Sequence, residues 1–323
     1  MKAIVVHQNG GPEVLQLQET DVGRPGRGQV LVRLAAAGVN FIEIYQRKGI
    51  YLRQLPYIPG SEAAGTVEEV GEGVTLVKKG DRVAYVHQPG AYAEASIVNQ
   101  DSLIPLPEDF SFIEGAAFPL QGMTAHYLLH EFYTIKPNDV VLIHAAAGGM
   151  GLLLVQWAKH LGAKVIGTVS NEEKAEAAKK AGASEVIFYT KTDFAKEVKK
   201  LTNGHGADLI IDGVGKSTFP GDLEAAARSG HIVIFGAASG PADPISPNVL
   251  MAHSLSLSGG NLANFLLSRE ELLKRANAVI KGIQEKWLHL NIGHILPLSQ
   301  AYEAHRLLEN RQNIGKVVLS ITG

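Results

Sequence analysis

The sequence predicts an α/β protein with a β-rich first region and a doubly wound parallel sheet in the second. Short strands recur roughly every ten residues over the first third of the chain, which is typical of a small barrel-like sheet. Further along, strands alternate with helical periods, as in parallel βαβ units. At the start of this second region, a glycine-rich turn joins an apolar strand to a helix.

The first region contains five predicted strands. Residues 29–35 alternate polar and apolar side chains, which indicates a half-buried strand. A Lys-Gly-Asp turn leads into the strand at 79–86. The other strands are predicted at 3–6, 64–71 and 90–98.

The second region alternates strands and helices from residue 140 onward. Strands are predicted at 140–143, 164–169, 185–188, 208–212 and 231–235, and helices at 151–161, 193–202 and 222–229. Ser170 and Glu173 have capping-box spacing, so Ser170 is expected to cap a helix that Gly182 ends. Helices at 268–286 and 299–310 and a strand at 316–321 should pack back on the first region. We therefore expect one domain of residues 1–122 and 266–323 and another of residues 123–265.

Composition narrows the possible functions. The net charge is −2 without a basic block, so we expect no nucleic-acid partner and no membrane binding. The chain has no cysteine, which excludes disulfides, a cysteine nucleophile and cysteine-ligated zinc. The N-terminal apolar run ends at His7, too soon for a signal peptide, so we expect a soluble cytoplasmic protein.

The most informative segment is the turn at residues 145–151. Its length and apolar character would also suit a bilayer span, but His144 and two adjacent glycines favour strand, turn and helix. The spacing of Ala145, Gly148 and Gly151 is a variant of the Rossmann dinucleotide fingerprint, in which small residues let the backbone approach a pyrophosphate. The pyrophosphate is therefore expected on Ala147, Gly148, Gly149, Met150 and Gly151.

The end of the next strand indicates which dinucleotide binds. NAD sites usually place an acid there for the ribose hydroxyls, but this strand ends at Ser170 without one. Glu172 and Glu173 follow in the first helical turn, where the helix dipole accounts for them. Ser170 and Lys174 offer a hydroxyl and a cation for a 2′-phosphate, so the predicted cofactor is NADPH.

Three strings of residues resemble one family along essentially the whole chain. The first is N-D-x-x-L at 138–142, A-A-G-G-x-G at 146–151 and Q-x-x-K at 156–159. The others are G-V-N-F-I-E-I-Y at 38–45 with R-x-G-x-Y at 47–51, and P-G-S-E-A-A-G at 59–65. They resemble the zinc-independent, zeta-crystallin-like quinone oxidoreductases of the medium-chain dehydrogenase/reductase superfamily. The resemblance implies a GroES-like catalytic domain beside the Rossmann domain.

The same resemblance implies that this chain binds no catalytic metal. Zinc alcohol dehydrogenases of the superfamily have a ligand cysteine where this chain has Asn40 and a ligand histidine where it has Ser61. Residues 119–124, the region of the third ligand, contain neither residue type. His126 and His130 have the nearest metal-like spacing, but such helical pairs are more often surface or packing residues.

The resemblance and the fold add further cofactor positions. Family members use a tyrosine for the 2′-phosphate, which implies Tyr189, and Thr124 stands where they approach the nicotinamide ribose or phosphate. Ligands of parallel sheets bind outside the carboxyl ends of the strands. This predicts a nicotinamide side formed by Val214, Phe235, Gly236 and Ala238, with Asn40, Asn261 and Lys316 as further candidates.

For the chemistry, the protein must place an acceptor and stabilise the negative charge that hydride transfer creates. Asn40 and Tyr45 are the predicted hydrogen-bond donors, and Tyr51 is expected to line the pocket. Glu62 is expected to form a structural pair. The predicted activity is metal-free, NADPH-dependent reduction of quinones.

Two alternatives stay open. They are reduction of α,β-unsaturated carbonyls (enones or enoyl thioesters) and non-catalytic, crystallin-like NADPH binding. By analogy with the family, we expect a homodimer joined through an edge strand near residues 255–258.

Overall fold

The computed structural model describes residues 1–321, which form two compact units. The first unit comprises residues 1–121, 266–277 and 290 onward, and the second comprises residues 122–265 and 278–289. Within the described range, no helix is long and apolar enough to cross a membrane.

The strands and helices follow each other in chain order. The first 118 residues contain β1 (Lys2–Val5), β2 (Gln16–Glu19), β3 (Gln29–Val39), α1 (Phe41–Arg47), β4 (Glu62–Val70), β5 (Arg82–Val86), β6 (Ala95–Asn99), β7 (Leu103–Pro105) and α2 (Phe112–Ala117). The middle contains α3 (Pro119–His130), β8 (Val140–Ile143), α4 (Gly149–His160), β9 (Lys164–Val169), α5 (Glu172–Ala181), β10 (Glu185–Phe188), α6 (Phe194–Leu201), β11 (Ala207–Asp212), α7 (Phe219–Ala225), β12 (Ala226–Ile234), α8 (Asn248–Met251) and β13 (Ser256–Gly259). The last part contains α9 (Arg269–Gln284), β14 (Ile292–Pro297), α10 (Ala301–Glu309) and β15 (Lys316–Ser320).

The first unit is built on a seven-stranded sheet. Its order is β14-β15-β3-β4-β5-β7, with β6 also paired to β3. The pairs are antiparallel except β14 with β15, which is parallel. Strand β3 is long enough to pair with β15, β4 and β6, and its buried face, including Val32 and Leu34, packs into the core of this unit. The N-terminal residues of β15 and β4 are thereby fixed on either side of the C-terminal half of β3.

The second unit contains a six-stranded parallel sheet of order β10-β9-β8-β11-β12-β13. The chain winds outward from β8 in one direction and then returns to continue from β11 in the other. This order is the doubly wound arrangement that the sequence predicted, and it places all carboxyl ends at one edge. The expected edge strand near residues 255–258 is present as β13.

Three differences from the sequence-based expectations concern the helices. Helix α5 is capped by Asn171, whose Oδ1 accepts the Lys174 N–H at 3.0 Å, so the capping box at Ser170 was wrong. The helix expected at 222–229 instead ends at Ala225, because β12 starts pairing with β11 at the next residue. Residues 278–289 pack in the second unit, where the Gln156 amide bonds both backbone groups of His289.

Candidate functional site

The glycine-rich turn follows β8 and leads directly into α4. Ala145 adopts a positive φ of 50°, and its carbonyl oxygen accepts the Gly148 N–H at 2.9 Å. Gly148 is the N-cap of α4, and its carbonyl oxygen accepts the Leu152 N–H. The first N–H groups of a helix have no partners within the helix. An anion can therefore bind at this turn, against the N-terminal end of α4.

Close packing explains the small residues around this turn. A Cβ atom at Gly151 would collide with the carbonyl oxygen of Ala145 and lie 2.7 Å from the carbonyl carbon of Ala146. A Cβ at Gly167 in β9 would lie 2.7 Å from the Cβ of Ala146. The turn therefore sits against both the helix and the neighbouring strand, which a side chain at either glycine would prevent.

A buried histidine–aspartate pair lies directly after β8. His144 Nε2 is 2.7 Å from Asp222 Oδ1, and its Nδ1 is 3.0 Å from the Thr168 hydroxyl. Burial raises the pKa of Asp222 to about 6, although the nearby His144 lowers it. Burial also lowers the pKa of His144, but the Asp222 charge and hydrogen bond outweigh this and raise it. His144, the residue before the turn, is thereby linked to Thr168 on β9 and to Asp222 on α7. Sequence reasoning missed this pair because Asp222 lies 78 residues away along the chain.

The ends of β9 and β10 bring together the residues predicted for the 2′-phosphate. Val169 pairs with Phe188, so Ser170 and Tyr189 follow on adjacent strands. The Thr190 hydroxyl donates to the Ser170 carbonyl oxygen at 3.2 Å. Lys174 lies in the first turn of α5, which begins directly after this strand end. The structure therefore places Ser170, Lys174 and Tyr189 in one local region.

A second cation stands near this strand end. Lys191 forms an exposed ion pair with Glu172 at 3.3 Å. Sequence reasoning did not identify Lys191, although its position two residues after Tyr189 was a usable signal.

The remaining predicted cofactor positions of the second unit follow other strands of the same sheet, with one exception. Asp212 ends β11, and its carboxylate accepts the N–H groups of Val214 at 2.6 Å and Gly215 at 3.1 Å. Phe235, Gly236 and Ala238 come after β12, and the Ala238 N–H donates to the Gly213 carbonyl oxygen. Asn261 follows β13 and accepts the Ala263 N–H. The exception is Thr124, which is buried in α3.

Asn40 in the first unit belongs to a buried polar cluster. Its Oδ1 accepts hydrogen bonds from Lys316 Nζ at 2.7 Å and Gln121 Nε2 at 3.1 Å. Its Nδ2 donates to Glu62 Oε1 at 2.8 Å, and Lys316 Nζ is 2.5 Å from that same oxygen. Glu62 therefore forms an ion pair with Lys316. Lys316, one of the predicted cofactor residues, is only 3% exposed and bonds inside this unit.

Glu43 completes the cluster from the first turn of α1. Its Oε2 accepts the Asn40 N–H at 2.8 Å, while Oε1 has no hydrogen-bond partner among the described residues. Burial raises the pKa of Glu43 to about 7, a shift that Glu62 reinforces and that Ser61, Lys316 and the Asn40 N–H oppose. Glu43 can therefore hold a proton near neutral pH. Sequence reasoning did not single it out.

The two predicted tyrosines, Tyr45 and Tyr51, follow Asn40 and Glu43 in the sequence and form an aromatic pair. The rings of Tyr45 and Tyr51 are 5.3 Å apart in an edge-on arrangement, and Phe41 is 6.0 Å from Tyr45. The Tyr51 N–H donates to the Tyr45 carbonyl oxygen at 3.3 Å. Half of Tyr51 is exposed, so the pair offers an apolar surface with phenol groups.

The donor set of the Asn40 cluster does not fit a zinc ion. An ammonium group already contacts both Asn40 and Glu62, and its charge would repel a divalent cation. Over residues 1–321, no group of three or more His, Cys, Asp or Glu side chains could hold a metal. His126 and His130 pack against Trp157, in line with the packing role expected for them.

Two family models match the chain. Residues 26–108 match the alcohol dehydrogenase GroES-like domain, and residues 149–278 match the model described as zinc-binding dehydrogenase. Quinone oxidoreductase 1 of Escherichia coli strain K12 is 39% identical over 98% of both chains. The chain belongs to the quinone oxidoreductase family of the medium-chain dehydrogenase/reductase superfamily.

A curated reductase and a solved structure show comparable similarity to this chain. A 2-haloacrylate reductase from a Burkholderia species is 41% identical over 98% of both chains. The solved structure of an Escherichia coli quinone oxidoreductase complexed with NADPH has a TM-score of 0.96 at 39% identity, covering 99% of this chain and 100% of that one. The two units thus have the GroES-like and Rossmann folds that the sequence predicted.

Proposed function

We propose that this oxidoreductase uses NADPH to reduce quinones without a metal ion. The observation that carries the proposal is the carboxyl edge of the six-stranded sheet. There the glycine-rich turn at residues 145–151 packs against β9. The end of β9 has no acid but lies near the hydroxyl-bearing Ser170, Lys174 and Tyr189. Full-length relatives named quinone oxidoreductase support the choice of acceptor. In this proposal the second unit is the cofactor domain, and the first unit is the catalytic domain.

Different residues at this edge of the sheet bind different parts of the cofactor. The helix N–H groups after Gly148 bind the pyrophosphate, since the turn directs the start of α4 towards it. Ser170, Lys174 and Tyr189 bind the 2′-phosphate, which adds charge that a ribose hydroxyl lacks. Val214, Phe235, Gly236, Ala238, Asn261 and Thr124 hold the ribose and the nicotinamide.

The chemistry needs a donor for the oxygen that gains charge. When bound, NADPH supplies a hydride, so one hydride and one proton convert the quinone into a hydroquinone. Asn40 and Tyr45 donate hydrogen bonds to the quinone oxygen, and Tyr51 packs against the flat apolar ring. An amide and a phenol suffice, because the task is to stabilise an oxyanion.

The 2′-phosphate assignment predicts a change in cofactor preference. The Ser170→Ala/Lys174→Ala variant is expected to raise the KM for NADPH by about 30- to 100-fold, because two charge-assisted contacts are lost. The KM for NADH should change less than about threefold, since NADH has no 2′-phosphate. Steady-state kinetics with 1,4-benzoquinone measures both.

A matched control lies on the same helix. Lys180→Ala removes an exposed lysine from the last turn of α5, far along the helix from Ser170, and should leave both KM values unchanged. Equal effects of the double variant on NADPH and NADH would contradict the assignment.

A second candidate reaction is the reduction of activated alkenes. The 2-haloacrylate reductase, at 41% identity, is the observation that favours it. Both reactions use the same hydride and the same oxygen-stabilising donors. Turnover of 2-chloroacrylate that exceeds turnover of every quinone tested would favour this alternative.

The proposal includes a cytoplasmic homodimer. Strand β13 pairs with β12 on one side only and forms the edge of the sheet, with Leu257 37% exposed. A second copy placed edge to edge would continue the sheet. Light scattering should then give twice the chain mass of 34.5 kDa, and a mass of one chain would contradict the dimer.

A further inference from the structure

Asn40 is the N-cap residue of α1, and its side chain also has partners outside that helix. Asn40 and Glu43 form a capping box, in which the Asn40 side chain faces the N–H of Glu43 and the Glu43 carboxylate accepts the Asn40 N–H. The Asn40 oxygen also accepts hydrogen bonds from Lys316 and Gln121. Capping alone would not require these further partners.

The partners of this amide fix which end is oxygen and which is nitrogen. Oδ1 faces two donors, Lys316 Nζ at 2.7 Å and Gln121 Nε2 at 3.1 Å, whereas Nδ2 faces the Glu62 carboxylate at 2.8 Å. A flipped amide would set its NH2 group against the ammonium and its oxygen against the carboxylate. Nδ2 carries two hydrogens, and one of them is hydrogen-bonded to the Glu62 carboxylate. The direction of the second N–H is therefore fixed.

A buried ion pair between Lys316 and Glu62 holds the Asn40 amide in this orientation. Lys316 and Glu62 are 3% and 0% exposed, and a buried ion pair is an ineffective way to stabilise a fold. The backbone N–H of Leu120 holds the other Glu62 oxygen at 2.7 Å. Gly38 makes room for this carboxylate, because a Cβ atom there would collide with Glu62 Oε1. These features indicate a role beyond stability.

We propose that Lys316 and Glu62 are positioning residues that hold the Asn40 amide so that its second N–H donates to the carbonyl oxygen of the quinone. This inference rests on the proposed function, since it gives that reaction its oriented donor. In this role Lys316 acts through Asn40, since its Nζ contacts Asn40 Oδ1 and Glu62 Oε1. Gln121, which lies on α3, supports the same orientation because its Nε2 donates to Asn40 Oδ1.

The test compares variants that remove the charges together, so that no buried charge is left unpaired. Lys316→Met/Glu62→Gln is measured for kcat and KM with 1,4-benzoquinone, for NADPH affinity by fluorescence titration and for Tm. The same double change is made in an Asn40→Ala background. Lys316→Arg keeps the ion pair, and Arg33→Met/Glu68→Gln removes an exposed pair of the same sheet as a control.

The expected loss is in kcat/KM for the quinone, by about 10- to 100-fold, which is below the effect of deleting an oriented donor outright. NADPH affinity should stay within about threefold, and Lys316→Arg should recover most of the rate. In the Asn40→Ala background, the double change should lower the rate by less than about threefold. The Arg33/Glu68 control should keep the wild-type kcat/KM.

Three results would overturn the inference. They are an unchanged kcat/KM in the double variant, a weakened NADPH affinity with unchanged kcat, and an equal loss of rate with and without Asn40. If the double variant does not fold, Gln121→Met carries the same comparison with and without Asn40, because it removes a neutral partner of Asn40 Oδ1 and leaves no buried charge unpaired. Wild-type protein that reduces no quinone would contradict the proposed function instead, so the two failures are distinguishable.

Discussion

Gly151→Val is expected to raise the Kd for NADPH by about 100-fold and to destabilise the Rossmann unit by about 2–4 kcal/mol. The valine Cβ would collide with the Ala145 carbonyl oxygen and lie 2.7 Å from the Ala146 carbonyl carbon. Both are backbone atoms, so the turn itself must move away from α4. The movement would displace the proposed pyrophosphate site from the helix N–H groups assigned to it. Fluorescence titration with NADPH and urea denaturation measure the two effects.

Gly148→Ala is the milder comparison in the same turn. Its φ of −72° suits any residue, and a Cβ there would lie 3.3 Å from the Ala145 oxygen, a contact that a small shift relieves. NADPH binding is expected to weaken only a few-fold. Equal losses in Gly148→Ala and Gly151→Val would show that any side chain in this turn is harmful and would contradict the packing argument.

His144→Leu is expected to lower the free energy of unfolding by about 3–5 kcal/mol, the usual result of leaving a buried charge without its partner. Asp222 is fully buried, and its Oδ2 already lacks a hydrogen-bond partner within residues 1–321. Asp222→Asn should cost only about 1 kcal/mol, because a neutral amide can still bond His144. His144→Leu/Asp222→Asn should be more stable than His144→Leu alone. Urea denaturation of the three variants measures the order.

The same pair predicts how stability depends on pH. The folded pKa of Asp222 is about 6, above its ordinary value of 3.8, and that of His144 is also raised. The unfolded chain therefore releases protons at lower pH than the folded chain does, so stability falls as pH rises from about 4 to 6 and again above about 6.5. Asp222→Asn should remove the fall between pH 4 and 6. An unchanged pH profile in Asp222→Asn would contradict this account.

The sequence predicted the parts of the fold that depend on local patterns. The strand before the turn, the strand that ends at Val169 and the alternation of the second unit follow from apolar runs and from glycines at strand ends. Strands β2, β7 and β14 were not predicted. Every side chain of β2 and β14 is exposed or half-buried, and β7 has only three residues, so these strands are defined by their pairing with other strands.

The candidate site was predictable where its residues are close in sequence. Ser170, Lys174 and Tyr189 lie near one another because adjacent parallel strands end at the same edge. Lys316 was assigned to the cofactor, and its pairing with Glu62, 254 residues away, follows only from β15 and β4 flanking β3. A lysine in a strand pattern carries no sign of such a partner.

The most direct test of the central claim is wild-type turnover. NADPH oxidation is followed with 1,4-benzoquinone, 9,10-phenanthrenequinone and 2-chloroacrylate, with NADH in parallel and a chelator present throughout. We predict chelator-resistant reduction of the quinones, with kcat/KM at least about tenfold higher for NADPH than for NADH, the factor that about 1.4 kcal/mol of phosphate binding gives. Loss of activity with the chelator, or binding of NADPH with no quinone turnover, would contradict the account.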